Sequence, residues 1–346
     1  VRWEIGDMSH HQFIGHKLLC HLDRLASLRN KGGPPPINVE IDLSNRCNLQ
    51  CRGCHFSHLR GGKVCGDLLS ADLVIEILPQ LASYGIRSVT WSGGGEPLTN
   101  PDALRILRAA YANGIKQGLY TNGTMIDRNS AATIAACCEW VYVSMDEPDK
   151  RSYALRKRAN KFHDAVRGIQ ELVDYGVTVG VGFLIDEQNV GRTADMIRLG
   201  ESLDVAYVQF RPLIRWNDRR LCDTKDDVSW YAAVNWESIH SDTVRVEIDP
   251  QRFRRYGNWC GHGYDVCWWS GIQCVITPDG RVWTCCNRRG FDGSCLGDLN
   301  CHSFAEIWAK RPIAKVDENC RVMCRGHLPN LELHEIFRER THADFP

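Results

Sequence analysis

Ile37-Asn38-Val39-Glu40-Ile41-Asp42-Leu43-Ser44-Asn45-Arg46-Cys47-Asn48-Leu49-Gln50-Cys51-Arg52-Gly53-Cys54 is the stretch on which the fold turns. It opens directly after the stiff breaker Gly32-Gly33-Pro34-Pro35-Pro36. Its first seven residues read as a short strand, and its last eight hold three cysteines. Thiolates are soft ligands suited to iron–sulfur clusters, and a tight loop lets neighbouring sulfurs reach different corners of one cubane. A cluster held wholly by protein wants four thiolates. Three leave one iron open to an outside ligand, as catalytic zinc sites keep one open position. Structural zinc is the competing reading, although it is usually held by paired CxxC knuckles and the spacing here is CxxxCxxC.

Outward from this loop, short apolar runs alternate with stretches of helical period. The strand candidates are Ile37–Leu43, Ser88–Trp91, Gly118–Tyr120, Trp140–Ser144, Val177–Ile185 and Ala206–Phe210. Between them, Ala71–Tyr84, Pro101–Asn113, Asn129–Cys138, Phe162–Tyr175 and Arg192–Leu203 carry apolar residues at three- and four-residue spacing. Six such units predict an α/β fold with a parallel sheet, either open and doubly wound or a partial barrel, with active residues where strands end. The pattern stops near Ile214. The remainder is richer in Cys, Trp and Arg, with Ser303–Ala309 its clean helix, and a second, smaller domain is expected from about residue 250.

Composition narrows the function classes. A chain of 346 residues that is 43% apolar buries a large core. Its 42 basic residues balance 42 acidic ones, so no net field draws it to nucleic acid or to an anionic membrane surface. No run approaches the roughly 18 apolar residues of a membrane span, and Val1–Gln12 lacks a secretory h-region, so a cytoplasmic location is expected. In that setting, 17 cysteines point to metal ligation before disulfides.

At Cys47, Cys51 and Cys54 the sequence resembles the radical S-adenosylmethionine superfamily, whose CxxxCxxC follows the first strand of a partial (β/α)6 TIM barrel. The resemblance covers residues 37–214 or so. Taken with the breaker before residue 37 and the change of composition near residue 250, it gives an expected preamble over 1–36, a barrel over 37–249 and an auxiliary domain over 250–346. It implies a 4Fe–4S cluster on the three cysteines, S-adenosylmethionine as co-substrate, and an external one-electron donor such as flavodoxin or ferredoxin. One position departs from the family pattern: Gly53 stands where many members carry an aromatic residue.

Ser92-Gly93-Gly94-Gly95-Glu96-Pro97, read alone, is a turn. The family places Gly-Gly-Glu at this strand end to bind the amino group of S-adenosylmethionine, and Gly94, Gly95 and Glu96 match it. The same resemblance suggests Thr121 or Asn122 and Ser144 for the carboxylate and ribose, with Arg156 or Arg158 as a carboxylate partner. Read as isolated residues, these are turn and cap formers. Gly180 and Gly182 would let the fifth strand pass beneath the adenine.

Nine cysteines fall between Cys260 and Cys324. Cys267, twelve residues, Gly280, four residues and Cys285 form one unit around the turn Thr277-Pro278-Asp279-Gly280, and Cys320 and Cys324 form a second pair. The unit is similar to the opening of SPASM domains and of the shorter twitch domains, which implies one auxiliary 4Fe–4S cluster on Cys267, Cys285, Cys320 and Cys324. Cys274 and Cys286 are the alternative ligands, and zinc the alternative metal. Most other cysteines read as small packing hydrophobes. Cys222, just after the sixth strand, is the candidate hydrogen-atom donor.

The expected substrate is a small polar metabolite, such as a sugar, aminocyclitol or nucleoside, undergoing epimerisation or dehydrogenation. Peptide-modifying members often carry a leader-binding domain of some eighty residues before the barrel, and 36 residues precede it here. A maturase acting on a ribosomal peptide is the alternative. A non-catalytic iron–sulfur electron carrier is the reading from another class.

Overall fold

The computed structural model describes residues 17–30, 33–60, 64–213, 216–217, 220–221, 229–258, 261–291, 293–317, 320 and 324–338. Six strands follow one another as expected: β1 (Asn38–Asp42), β2 (Ser88–Ser92), β3 (Lys116–Thr121), β4 (Trp140–Ser144), β5 (Thr178–Ile185) and β6 (Tyr207–Pro212). The helices are α1 (Leu22–Arg29), α2 (Ala71–Ser83), α3 (Ala103–Ala112), α4 (Arg128–Cys137), α5 (Lys150–Lys157), α6 (Phe162–Asp174) and α7 (Thr193–Ser202). Later come α8 (Trp230–Ala233), α9 (Pro250–Gly257), α10 (Phe304–Ala309) and α11 (His327–Phe337).

Strands β1 to β6 pair in sequence order, all parallel. The sheet does not end there. Arg245–Glu247 adds to β6, and Gln273–Ile276 adds to the other face-edge at β1, both parallel. Arg281–Trp283 and Cys295–Asp298 continue antiparallel, giving an open sheet of ten strands among the described residues. The cysteine-rich segment is thus joined to β1, the strand that carries the CxxxCxxC loop.

Alternation along each strand separates two environments. Val39, Ile41, Val89, Trp91, Leu119, Val141, Val143, Val181 and Phe210 belong to one apolar core with Val74, Ile77, Leu107, Ile134, Ile169 and Met196 of the covering helices. The intervening positions, among them Glu40, Asp42, Tyr120, Tyr142, Ser144 and Arg211, point the other way and are mostly polar. A buried polar face is costly unless paired. Here Arg289 and Arg325, from the C-terminal segment, reach Glu40 and Asp42. Helix α1 belongs with that segment too, since Leu25 and Leu28 pack against Ile272 and Leu333.

Helix α5 is absent from the periodicity of the sequence because only Tyr153 and Lys157 of its eight residues are buried. Asp149 caps its start, accepting from Arg151 N at 2.8 Å. Among the described residues no helix is long and apolar enough to cross a membrane.

Candidate functional site

The loop that follows β1 is held from two sides. Helix α5 leaves carbonyls without partners at its C-terminus, and the loop supplies them: Gln50 N donates to Lys157 O at 3.2 Å and Arg52 N to Arg156 O at 2.8 Å. On the other side, Gly94 N donates to Asn45 Oδ1 (3.1 Å), Gly95 N to Ser44 O (3.1 Å) and Glu96 N to Arg46 O (2.7 Å). This approach is so close that a Cβ on Gly94 would lie 2.3 Å from Asn45 Oδ1, and one on Gly95 would lie 1.9 Å from Arg46 O. The close contact these glycines permit is therefore with the cysteine loop itself. Gly53 has φ +67°, left-handed backbone where an aromatic side chain would be strained. The aromatic residue near the loop's end is Phe56, stacked beneath the Arg289 guanidinium at 4.3 Å.

A cavity of about 360 Å³ opens at these strand ends. Cys47, Cys51 and Cys54 line it together with Gly94, Gly95, Glu96, Thr121, Asn122 and Ser144, and Cys286, Cys324 and Arg325 line it from the C-terminal segment. Burial raises the Cys47 and Cys51 thiols, the charge of Cys51 adding to the rise at Cys47 and that of Cys54 to the rise at Cys51, while Arg60 acts on both in the opposite sense. Lys157 also lowers Cys51, and Leu49 N donates to Cys47 Sγ at 3.4 Å. Three neighbouring thiols beside cations and an N–H donor can hold a thiolate-bound cluster, whose binding would displace their protons.

Glu96 is buried, which raises its carboxyl despite the hydrogen bonds it accepts. Those come from Thr121 Oγ1 (2.7 Å) and Leu98 N (3.2 Å) to Oε1, and from Asn122 N (2.6 Å) to Oε2. A carboxylate offers about four lone-pair sites, so roughly one remains for an ammonium group. Thr121 and Asn122 are thus already engaged: the Asn122 amide donates to Asn48 Oδ1 at 2.8 Å. Ser144 Oγ donates to Asp146 Oδ2 at 3.0 Å and accepts from Lys157 Nζ at 3.1 Å. Arg158 lines an adjoining groove that shares Cys47, Cys51 and Arg60 with the main cavity. It is Arg156 that lines the main cavity, tied to Glu147 (2.9 Å) and Asp186 (2.7 Å).

The β5 glycines make room for tyrosines. A Cβ on Gly180 would lie 1.9 Å from Tyr207 Cζ, and one on Gly182 would lie 1.9 Å from the Tyr142 hydroxyl. Sequence reading missed the buried pair Lys157–Asp146 and the set Glu40, Asp42, Arg289 and Arg325. Asp146 stands two residues beyond Ser144, just past the end of β4, at φ +62°, whereas nothing local marks Lys157.

In the C-terminal segment the thiols of Cys267, Cys285, Cys320 and Cys324 come within electrostatic reach of one another, and burial pushes Cys267 and Cys285 up to about 12. Arg288 bridges to them, donating to Cys320 Sγ at 3.8 Å and to Asp317 at 2.8 Å. Cys274 lies in the core on the strand paired with β1, and Cys286 faces the cavity beside Arg325. Among the described residues no group of three or more His, Cys, Asp or Glu is placed to hold a metal ion. A single zinc would draw every sulfur to about 2.3 Å of one point, whereas a cubane spreads its ligands over several corners. Cys222 and Cys260 lie outside the described residues.

Residues 41–200 match the model of the radical SAM superfamily, and residues 267–329 match that of SPASM, an iron–sulfur cluster-binding domain. PqqA peptide cyclase of Methylobacterium nodulans is 26% identical over 293 residues, covering 81% of this chain and 74% of that protein. Mycofactocin maturase MftC of Mycobacterium ulcerans is 26% identical over 300 residues, covering 84% and 79%. The crystal structure of Streptococcus suis SuiB bound to precursor peptide SuiA shares the fold, with a TM-score of 0.66 at 14% identity over 89% of this chain and 73% of that one.

Proposed function

We propose that this chain, which is a radical SAM enzyme with a C-terminal SPASM iron–sulfur domain, is a maturase that modifies a peptide. The observation that carries the reading is the span of its relatives. A PqqA peptide cyclase and a mycofactocin maturase each match more than four-fifths of the chain. The small polar metabolite expected from sequence is favoured by a probable GTP 3′,8-cyclase of Halobacterium salinarum, also 26% identical, which covers somewhat less of the chain, 76%.

In this reading Cys47, Cys51 and Cys54 hold the catalytic cluster, and Glu96 receives the ammonium group of S-adenosylmethionine. Cys267, Cys285, Cys320 and Cys324 hold the auxiliary cluster. When bound, the catalytic cluster and S-adenosylmethionine together supply a 5′-deoxyadenosyl radical for hydrogen-atom abstraction. The protein's part is to orient the groups and to exclude water from the cavity. Lys157, beside Cys51 and paired with Asp146, keeps a fixed positive charge next to the catalytic loop.

The test is anaerobic reconstitution, reduction with dithionite, and turnover with deuterated peptide pools beside deuterated sugars and nucleosides. Deuterium should enter 5′-deoxyadenosine from peptides. Label arriving only from sugars or nucleosides would restore the small-molecule reading, and iron without any 5′-deoxyadenosine would leave an electron carrier.

A further inference from the structure

Among the cations around the cavity, most have a carboxylate partner. Arg156 has Glu147 and Asp186, Lys157 has Asp146, and Arg289 and Arg325 share Glu40. Arg211 on β6 is different. Its guanidinium donates from Nη2 to the Tyr142 hydroxyl at 2.6 Å and stands 4.8 Å from the centre of the Tyr142 ring. Among the described residues it forms no ion pair, and its Nε–H is buried without an acceptor. Asp146 acts on it only at a distance. A buried N–H without an acceptor is costly, and such a cost persists where a ligand relieves it.

Tyr142 has a matching vacancy in its hydrogen bonding. Its oxygen accepts from Arg211, so its own proton is left to donate, and burial pushes this phenol up to about 12, which keeps the proton on at neutral pH. The position is built for the purpose: Gly182 on the neighbouring strand leaves the space that the hydroxyl occupies. Both residues line the cavity. Arg252, from α9, lines the same wall, and burial together with the charge of Arg211 pulls it down to about 10. Arg252 also lies near Cys324, whereas Lys157 is the cation near Cys51. Arg211 is within electrostatic reach of Asp146, the partner of Lys157, on one side and of Arg252 on the other, and so stands between the two cysteine sets.

Resting on the reading of this cavity as the place where substrate meets S-adenosylmethionine, we infer that Arg211 and the Tyr142 hydroxyl form a subsite for a carboxylate of the substrate. Two donors without acceptors match the two oxygens of a carboxylate, and a planar guanidinium is the cation best shaped to bind them. In a peptide the group is an acidic side chain or the C-terminus. The subsite holds the substrate between the two cysteine sets and takes no part in bond breaking.

The experiment is equilibrium dialysis of the anaerobic, reconstituted holoenzyme with S-adenosylmethionine present. The probes are N-acetylglutamate α-methylamide and its neutral isostere N-acetylglutamine α-methylamide. The acidic probe should bind at least about tenfold more tightly, as expected for charge-assisted hydrogen bonds. Arg211→Gln should abolish the preference, Tyr142→Phe should reduce it, and Arg211→Lys should keep part of it. Iron content and affinity for S-adenosylmethionine should stay within about twofold of wild type. Equal binding of the two probes to wild type overturns the subsite, a result that needs no variant to fold. Loss of S-adenosylmethionine binding in well-folded Arg211→Gln also overturns it, because the carboxylate is then that of the co-substrate. If succinate or glucuronate binds with the same dependence on Arg211 while the amino-acid probe does not, the subsite stands and the peptide reading falls.

Discussion

Replacing Arg289 with Met tests whether the cysteine-rich segment is locked to the sheet through charge. The Arg289 side chain is 1% exposed and its partners Glu40 and Asp42 are 3% and 0% exposed, so solvent screens nothing. Removing one member of such a buried set leaves carboxylate uncompensated, at a cost of about 3–5 kcal/mol. Unfolding entropy of about 2.1 cal/mol/K per residue over 346 residues gives about 0.7 kcal/mol/K, so the melting midpoint should fall by roughly 4–7 °C. Glu40 keeps Arg325, so the burden falls on Asp42. Differential scanning fluorimetry under anaerobic conditions measures the shift. The triple variant Glu40→Gln, Asp42→Asn, Arg289→Met removes the stranded charge and should recover most of the loss. A midpoint shift below about 1 °C in the single variant, or no recovery in the triple one, would refute the ion-pair lock.

Three further outcomes follow from the site. Cys51→Ala should lower iron from about eight to about four per chain and abolish 5′-deoxyadenosine, whereas Cys324→Ala should lower iron similarly yet retain cleavage of S-adenosylmethionine; iron assay and chromatography distinguish them. Gly95→Ala drives a Cβ to 1.9 Å from the Arg46 carbonyl, so it should displace the cysteine loop and cost the catalytic cluster alone, read as about four irons remaining. Glu96→Gln removes the negative charge offered to an ammonium group and should weaken S-adenosylmethionine binding by roughly 10- to 100-fold in calorimetry.

Much of this was legible in the chain because it is local. Six strands and five helices stood at their expected places, within about two residues at each end, since alternation and helical period are properties of neighbours in sequence. The CxxxCxxC loop was equally plain, being a cluster of ligands eight residues long. Helix α5 was not, because it buries little and is fixed instead by its cap and by the loop whose N–H groups it receives.

The amino-acid sequence by itself therefore determined the parallel sheet, the strand end that carries three thiols, and the presence of a second cysteine set. Tertiary structure decided what faces what. The register Val39↔Cys274 turns Cys274 into the core and so separates it from the other thiols of its segment. Arg289 meets Glu40 across 249 positions of chain, and Arg211 meets Tyr142 across 69. Periodicity has no reach over such separations. They are set by which strands pair and in which register, and a shift of one residue would turn each side chain to the opposite face.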